Sequence, residues 1–389
     1  MVLYCFLVEK FSPTEKDLCM KIQIPFNPWK VVFESQFRRD YQSNSGNLRA
    51  IAAFWVVVFH SAIILSNGSK DSWPKSNNWI TSIIFEGWLG VSLFIVLSGY
   101  QLGCAVIDQR IRWSYFIFAR FLRIYPLYLI VLILSYLESL PPVRQILFDI
   151  FLIPRTPSQS CCVTGLSATV WTVRVEFVLY LILPLLIFLI KKYSYYFVIC
   201  VFGINLFVGS FFDSMDYFYW QVPGRLNEFL FGVALSKFLQ NKIMSGKVLR
   251  ILLFLGIAVI VLLAKIINLN GGQLLVDRHW GVVNLFSCVG FTLILLGSMS
   301  KSERVKATYI NRAGKYLAEL SYGVYLYHFA IILFLMNHQP MDFFLGKNAI
   351  SGAAVGVFII YPLTLALSFL THPIEKYFMR LRPIYWIRK

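Results

Sequence analysis

Asn47-Leu48-Arg49-Ala50-Ile51-Ala52-Ala53-Phe54-Trp55-Val56-Val57-Val58-Phe59-His60-Ser61 is an apolar helical stretch with an arginine at its start and a histidine well inside it. The eleven residues from Arg49 to His60 make about three full turns of α-helix, so the two side chains point the same way, about 16 Å apart along the axis. One face therefore carries a cation near one end and a titratable base near mid-depth of a bilayer. This suits a reaction whose anionic reactant comes in at one membrane surface and whose chemistry happens in the interior.

The surrounding chain supports a bilayer setting. Of its 389 residues 58% are hydrophobic and only 14% charged, beyond the range of ordinary soluble domains. The composition describes a polytopic membrane protein. No short apolar segment with a small-residue cleavage site opens the chain, which speaks against a cleaved signal peptide. The net charge of +17 comes from basic residues in the loops between apolar runs, where lysine and arginine hold loops on the cytoplasmic side. It is read as topology and not as nucleic-acid binding. Cys104, Cys200 and Cys288 lie within or beside apolar runs and act there as small hydrophobes. The adjacent pair Cys161-Cys162 is in a long polar loop, and neighbouring cysteines bridge each other poorly. Neither a disulfide framework nor a metal site is expected.

Residues 1–46 are polar, mixed in charge and broken by Pro13, Pro25 and Pro28; they read as a cytoplasmic N-terminal extension with an interfacial piece around Trp29 to Phe37. Apolar spans long enough to cross about 30 Å of hydrocarbon then recur near 48–66, 80–103, 122–139, 168–190, 194–212, 224–240, 248–268, 280–300, 317–337 and 350–371. These predict an all-α bundle of about ten transmembrane helices over 47–378, followed by a basic tail at 379–389. An even number of crossings puts both termini on one side. Arg110, Arg112, Arg120, Arg123, Lys191, Lys192, Lys237, Lys242, Arg304, Lys306, Arg380 and Arg382 fall on that side, which makes the termini cytoplasmic. The span at 224–240 is the weakest, because Arg225 and Glu228 lie at its start.

Several ionisable residues fall inside these spans. His60 lies about 18 Å in from Leu48, just beyond mid-membrane, where lipid offers no partner. The bland alternative is a neutral histidine hydrogen-bonded between helices, and for Arg49 it is a boundary arginine snorkelling to headgroups. Glu176, in Trp171-Thr172-Val173-Arg174-Val175-Glu176-Phe177, enters from outside and reaches about 12 Å, close to the depth of His60. Glu176 could orient or polarise His60 as carboxylates do in catalytic dyads. Arg174 and Glu176 are two residues apart and do not face each other, so each needs a partner elsewhere.

Ser321, Tyr325 and His328 share one helical face, with His328 at the level of His60; aromatic packing is the competing explanation. Arg120 and Arg123 share a face at the cytoplasmic surface before Pro126, where paired guanidiniums can clamp the phosphates of a nucleotide-bearing cofactor such as coenzyme A, or simply anchor the helix. Glu86-Gly87-Trp88 through Ser98-Gly99-Tyr100 sets small residues along the second span, allowing close helix approach or room for an acyl chain. Arg225 and Glu228, one turn apart near the outer surface, either touch a polar acceptor or pair with each other. There is no phosphate-binding glycine loop, metal-ligand cluster or nucleophile elbow.

Taken in order, these motifs resemble the membrane acyltransferase-3 family, bacterial inner-membrane proteins that O-acylate cell-surface polysaccharides and other extracytoplasmic or membrane-associated acceptors. The resemblance rests on Arg49 with ten residues before His60, Gly90-Val91 through Phe94 to Ser98-Gly99-Tyr100, and Arg120-x-x-Arg123 before Tyr125-Pro126. It continues through Trp171-Thr172 to Glu176, Tyr180 and Pro184, then Arg225 and Glu228-Phe229 before Gly232, and Ser321-Tyr322 through Tyr325-Leu326 to His328. Two departures stand out: Glu375-Lys376-Tyr377 lacks the proline often found after that glutamate, and Phe177 replaces a second acid common in the fourth span.

The resemblance implies an acyl-CoA donor, most simply acetyl-CoA, and no permanently bound cofactor. It places Arg120, Arg123, Arg49 and Ser98 on the donor, His60 and Glu176 in catalysis, and Arg225, Glu228, Tyr325 and His328 on a glycan or lipid-linked glycan acceptor. It implies a multi-pass protein of the inner membrane, in contact with membrane lipids and acting alone or with a separate periplasmic partner. A transporter or flippase whose buried charges line a substrate path is the competing class, although no convincing inverted repeat is present.

Overall fold

The structure is a computed structural model that describes residues 36–65, 74–107, 109–138, 142–153, 169–211, 216–239, 244–272, 279–299, 309–338, 348–383 and 386–387. The chain divides into two compact units, Met1–Gln42 and Ser43–Lys389, and the second is the one described below. The extension up to residue 35, the Cys161-Cys162 pair and the basic residues Lys242, Arg304 and Lys306 lie outside the described residues.

The described residues form twelve helices: α1 (Gln36–Ile64), α2 (Trp79–Phe85), α3 (Leu89–Val106), α4 (Trp113–Glu138), α5 (Val143–Ile150), α6 (Val170–Gly209), α7 (Val222–Phe238), α8 (Gly246–Leu269), α9 (Trp280–Gly297), α10 (Tyr309–His338), α11 (Ala349–Val355) and α12 (Tyr361–Arg380). Short π-helical turns at Asp216–Trp220 and Gly356–Ile360 precede α7 and α12. Two strands of two residues, β1 (Arg110–Ile111) and β2 (Trp386–Ile387), pair antiparallel and tie the segment after α3 to the C-terminal tail. The chain is therefore an all-α, multi-pass bundle. Among the described residues, eight helical segments are long and apolar enough to cross a membrane: Ser45–Ile64, Leu89–Val106, Trp113–Leu137, Trp171–Gly209, Gly246–Leu269, Trp280–Gly297, Ala313–Met336 and Ala349–Arg380. Outward-facing Phe54, Leu137, Leu185, Ile199, Phe254 and Phe358 are exposed, as lipid-facing side chains must be.

Three details differ from the sequence expectation. The spans expected at 168–190 and 194–212 both lie in α6, where Ser194 at φ 57°, ψ −140° marks the kink between two helical arms. The span expected at 80–103 is broken between α2 and α3, because Glu86 turns inward at the break. Its carboxylate accepts from Trp88 Nε1 at 2.7 Å and from Asn268 Nδ2 of α8 at 3.1 Å. Arg120 and Arg123 are not in a loop, since α4 begins at Trp113 and carries both, with Pro126 inside the helix.

Small residues set the closest helix contacts. At Gly99 of α3 a methyl group would overlap the Phe229 backbone of α7, and at Gly232 of α7 it would overlap the Val96 backbone of α3. The two backbones thus cross in contact. This explains why α7 looked weak as a span: Gly224, Arg225, Asn227, Glu228, Phe229 and Gly232 are all buried, so its polar groups meet protein and not lipid. On the other side of α3, Ala53 and Val57 of α1 pack with Val324 and Ile332 of α10 and with Ile360.

Candidate active site

Five helices converge on a cavity of about 60 Å³. Arg49 comes from α1, Ser98 from α3, Arg123 from α4, Glu176 and Tyr180 from α6, and Tyr322 and Tyr325 from α10; Val91, Phe94, Ile95 and Ile124 add apolar wall. The volume suffices for a few waters or a slender chain.

Its polar groups form one connected chain. Arg49 Nη2 donates to Ser98 Oγ at 3.1 Å, and Ser98 Oγ donates to Glu176 Oε1 at 2.9 Å. The Tyr180 hydroxyl, one helical turn along α6, donates to the same Glu176 oxygen. Arg49 Nε is buried with no hydrogen-bond partner, so this guanidinium has a donor to spare. Arg120 and Arg123 both act electrostatically on Arg49, opposed by Glu176. Two guanidiniums, Arg49 and Arg123, and one carboxylate, Glu176, line the cavity, which leaves its lining net positive. Arg120 is itself buried, with its guanidinium 5.1 Å from the Phe116 ring, and does not line the cavity.

His60 and His328 also stand outside the lining, and they meet each other. His328 Nε2 is 3.0 Å from His60 Nδ1, with ring centroids 5.0 Å apart. His328 Nδ1 is 2.6 Å from the Tyr325 carbonyl, and His60 Nδ1 is 3.1 Å from the Val56 carbonyl. Tyr325 links the two places: its ring lines the cavity and lies 5.6 Å from His328. Glu176 accepts its hydrogen bonds from Ser98 and Tyr180, so the group that meets His60 is the His328 imidazole and not a carboxylate.

Arg225 and Glu228 are buried and pair at 2.8 Å. Arg225 also donates to the Tyr219 carbonyl at 2.8 Å and to Ser92 Oγ at 3.0 Å, and it lies 4.3 Å from the Tyr219 ring. Glu228 further accepts from Asn284 Nδ2 at 3.3 Å, and Asn284 accepts from Asn227, which accepts from Asn205. Of the two sequence alternatives for Arg225 and Glu228, mutual pairing is the arrangement present. The partner that Arg174 required is Asp149 of α5, in a buried ion pair.

The sequence named Thr172 and Tyr180 only as members of the resemblance motif, with no role in the site, and did not single out the Asn205–Asn227–Asn284 ladder. Tyr180 at one turn from Glu176 was within reach of helical periodicity, whereas the asparagines come from three helices and carry no common spacing. His372 was also missed; it lies 3.5 Å from Glu375 and 3.7 Å from Glu319. Among the described residues no grouping of His, Cys, Asp and Glu could hold a metal ion.

A family model described as an acyltransferase domain, Acyl_transf_3, matches residues 45–372, well over half of the chain. No curated protein and no solved structure matches it.

Proposed function

The chain belongs to the acyltransferase-3 family, and on that premise we propose that this membrane acyltransferase moves an acyl group, acetyl in the first instance, from cytoplasmic acyl-CoA to a hydroxyl of an extracytoplasmic glycan or glycolipid. The observation that carries the reading is the net-positive cavity of Arg49, Ser98, Arg123, Glu176 and Tyr180, joined through Tyr325 to the His60–His328 pair.

Arg123, which lines the cavity, holds the phosphates of the donor near the cytoplasmic end of α4, and the buried Arg120 adds positive charge from the same helix. Arg49 spends its spare Nε–H on the pantetheine or thioester oxygen, with Ser98 and Glu176 fixing its direction. His60 is the general base, suited because a neutral imidazole offers a ring-nitrogen lone pair to a proton. A ring nitrogen takes the acceptor hydroxyl proton while that oxygen attacks the thioester carbonyl. The C–S bond then breaks, and the coenzyme A thiolate leaves with the proton returned by His60. Tyr325 borders the acceptor, and His328 stands behind His60. Glu176 acts through Ser98 and Arg49, as its hydrogen bonds favour, rather than on His60. The setting is the bacterial inner membrane, with both termini cytoplasmic.

The test is His60→Ala in the full chain, followed by mass spectrometry of surface polysaccharide and lipid and by coenzyme A release from proteoliposomes. Acylation should vanish while the protein still inserts. Normal acyl content in that variant overturns the assignment, and movement of an acceptor lipid without coenzyme A release points to a transporter.

A further inference from the structure

The contacts of the two imidazoles allow one arrangement of protons. A carbonyl oxygen only accepts, so His328 Nδ1, 2.6 Å from the Tyr325 carbonyl, must carry a proton. In the neutral ring this leaves His328 Nε2 as an acceptor. His60 Nδ1 faces that nitrogen at 3.0 Å and the Val56 carbonyl at 3.1 Å, two acceptors at once, so it too must carry the proton. A doubly protonated His328 would instead need a lone pair on His60 Nδ1, which would then point at the Val56 carbonyl and repel it. Both rings therefore carry their proton on Nδ1 in the neutral state. The lone pair of His60 lies on Nε2, on the other edge of the ring, which has no hydrogen bond among the described residues. His328 is fully buried while His60 is half-buried, so the inner ring supports and the outer ring is the accessible one.

We infer that His328 is a positioning residue: it holds the His60 ring in the Nδ1–H tautomer and so turns the Nε2 lone pair toward the acceptor hydroxyl. Which nitrogen of a histidine carries the proton is set by the bond its other nitrogen makes. The Val56 carbonyl already serves the α1 backbone, so it holds His60 less firmly than the free imidazole nitrogen does. The inference rests on the acyltransferase reading for its consequence in catalysis, but its geometric content stands apart from turnover.

The experiment uses the full-length protein in lipid nanodiscs, labelled with ¹⁵N-histidine. The chain has five histidines, and His60 is assigned by the signal lost in His60→Gln. In the native protein, His60 should show a pyrrole-type Nδ1 and a pyridine-type Nε2. In His328→Leu the two tautomers should mix, and kcat should fall roughly 10²-fold with KM for acyl-CoA unchanged. His328→Gln places an amide oxygen where Nε2 stood and should restore the single tautomer and most of the rate; a merely space-filling residue would favour Leu over Gln. A pyrrole-type Nε2 on His60 in the native protein, or an unchanged His60 spectrum in His328→Leu, overturns the inference. Because the spectra need no turnover, they stand even if His60→Ala retains acylation, in which case the catalytic reading alone fails.

Discussion

Arg49 keeps one buried N–H without a partner, while its Nη2 is tied to Ser98. An unsatisfied buried donor costs about 1–3 kcal/mol, and a ligand carbonyl would relieve it. Arg49→Lys retains the charge but loses the fork, so KM for acyl-CoA should rise about 10-fold, the equivalent of one charge-assisted hydrogen bond, with insertion unaffected; initial rates in proteoliposomes measure this. Arg225 is a different kind of arginine. Arg225→Met leaves Glu228 buried beside Asn284, and stability should fall by roughly 3–5 kcal/mol. The double variant Arg225→Met, Glu228→Leu should recover most of that loss in a thermal melt. A single variant that keeps its Tm yet loses activity would instead make Arg225 a substrate contact. The charged residues were legible in the sequence as a set, because ionisable groups in apolar spans are conspicuous. Their partners were not, since Arg49 meets Ser98 and Arg174 meets Asp149 across helix interfaces that no local spacing encodes.

Between helices, the determining contact is the crossing of α3 and α7 at Gly99 and Gly232. Small residues let backbones touch, and any Cβ there must push them apart. Gly232→Val should cost roughly 1–3 kcal/mol or more by overpacking. It should also lower activity, because α3 carries Ser98 into the cavity; a melt and a coenzyme A release assay on the same sample separate the two effects. Helix existence and approximate limits followed from hydropathy and period. The inward turn at Glu86 did not, because its cause is Asn268 of α8. The positive φ of Ser194 likewise has no residue signature, since such a conformation is ordinarily announced by glycine or asparagine.

For the molecule as a whole, β1 and β2 bring Arg110 opposite Ile387 and so put the segment after α3 and the tail on one face of the bundle. Cysteines replacing both, Arg110→Cys with Ile387→Cys, should form a disulfide, because paired strand positions lie at about 4.5–5.5 Å between Cα atoms. A membrane-impermeant thiol reagent should reach the reduced pair only from the cytoplasmic side; labelling from outside would invert the topology. The sequence by itself determined the membrane class, the presence of His60, Glu176 and His328 inside apolar helices, and the ordered motifs that mark the family. These follow from hydropathy and from the fixed rise of a helix, which are properties of each segment alone. The tertiary structure alone decided which groups meet: His60 with His328, Glu176 with Ser98 and Tyr180 on the Arg49 side, Arg225 with Glu228. Lateral neighbours depend on how each helix is rotated and how closely it packs. In this bundle those are set by the joint shape of surfaces distant in sequence, such as Gly99 against Phe229 and Gly232 against Val96.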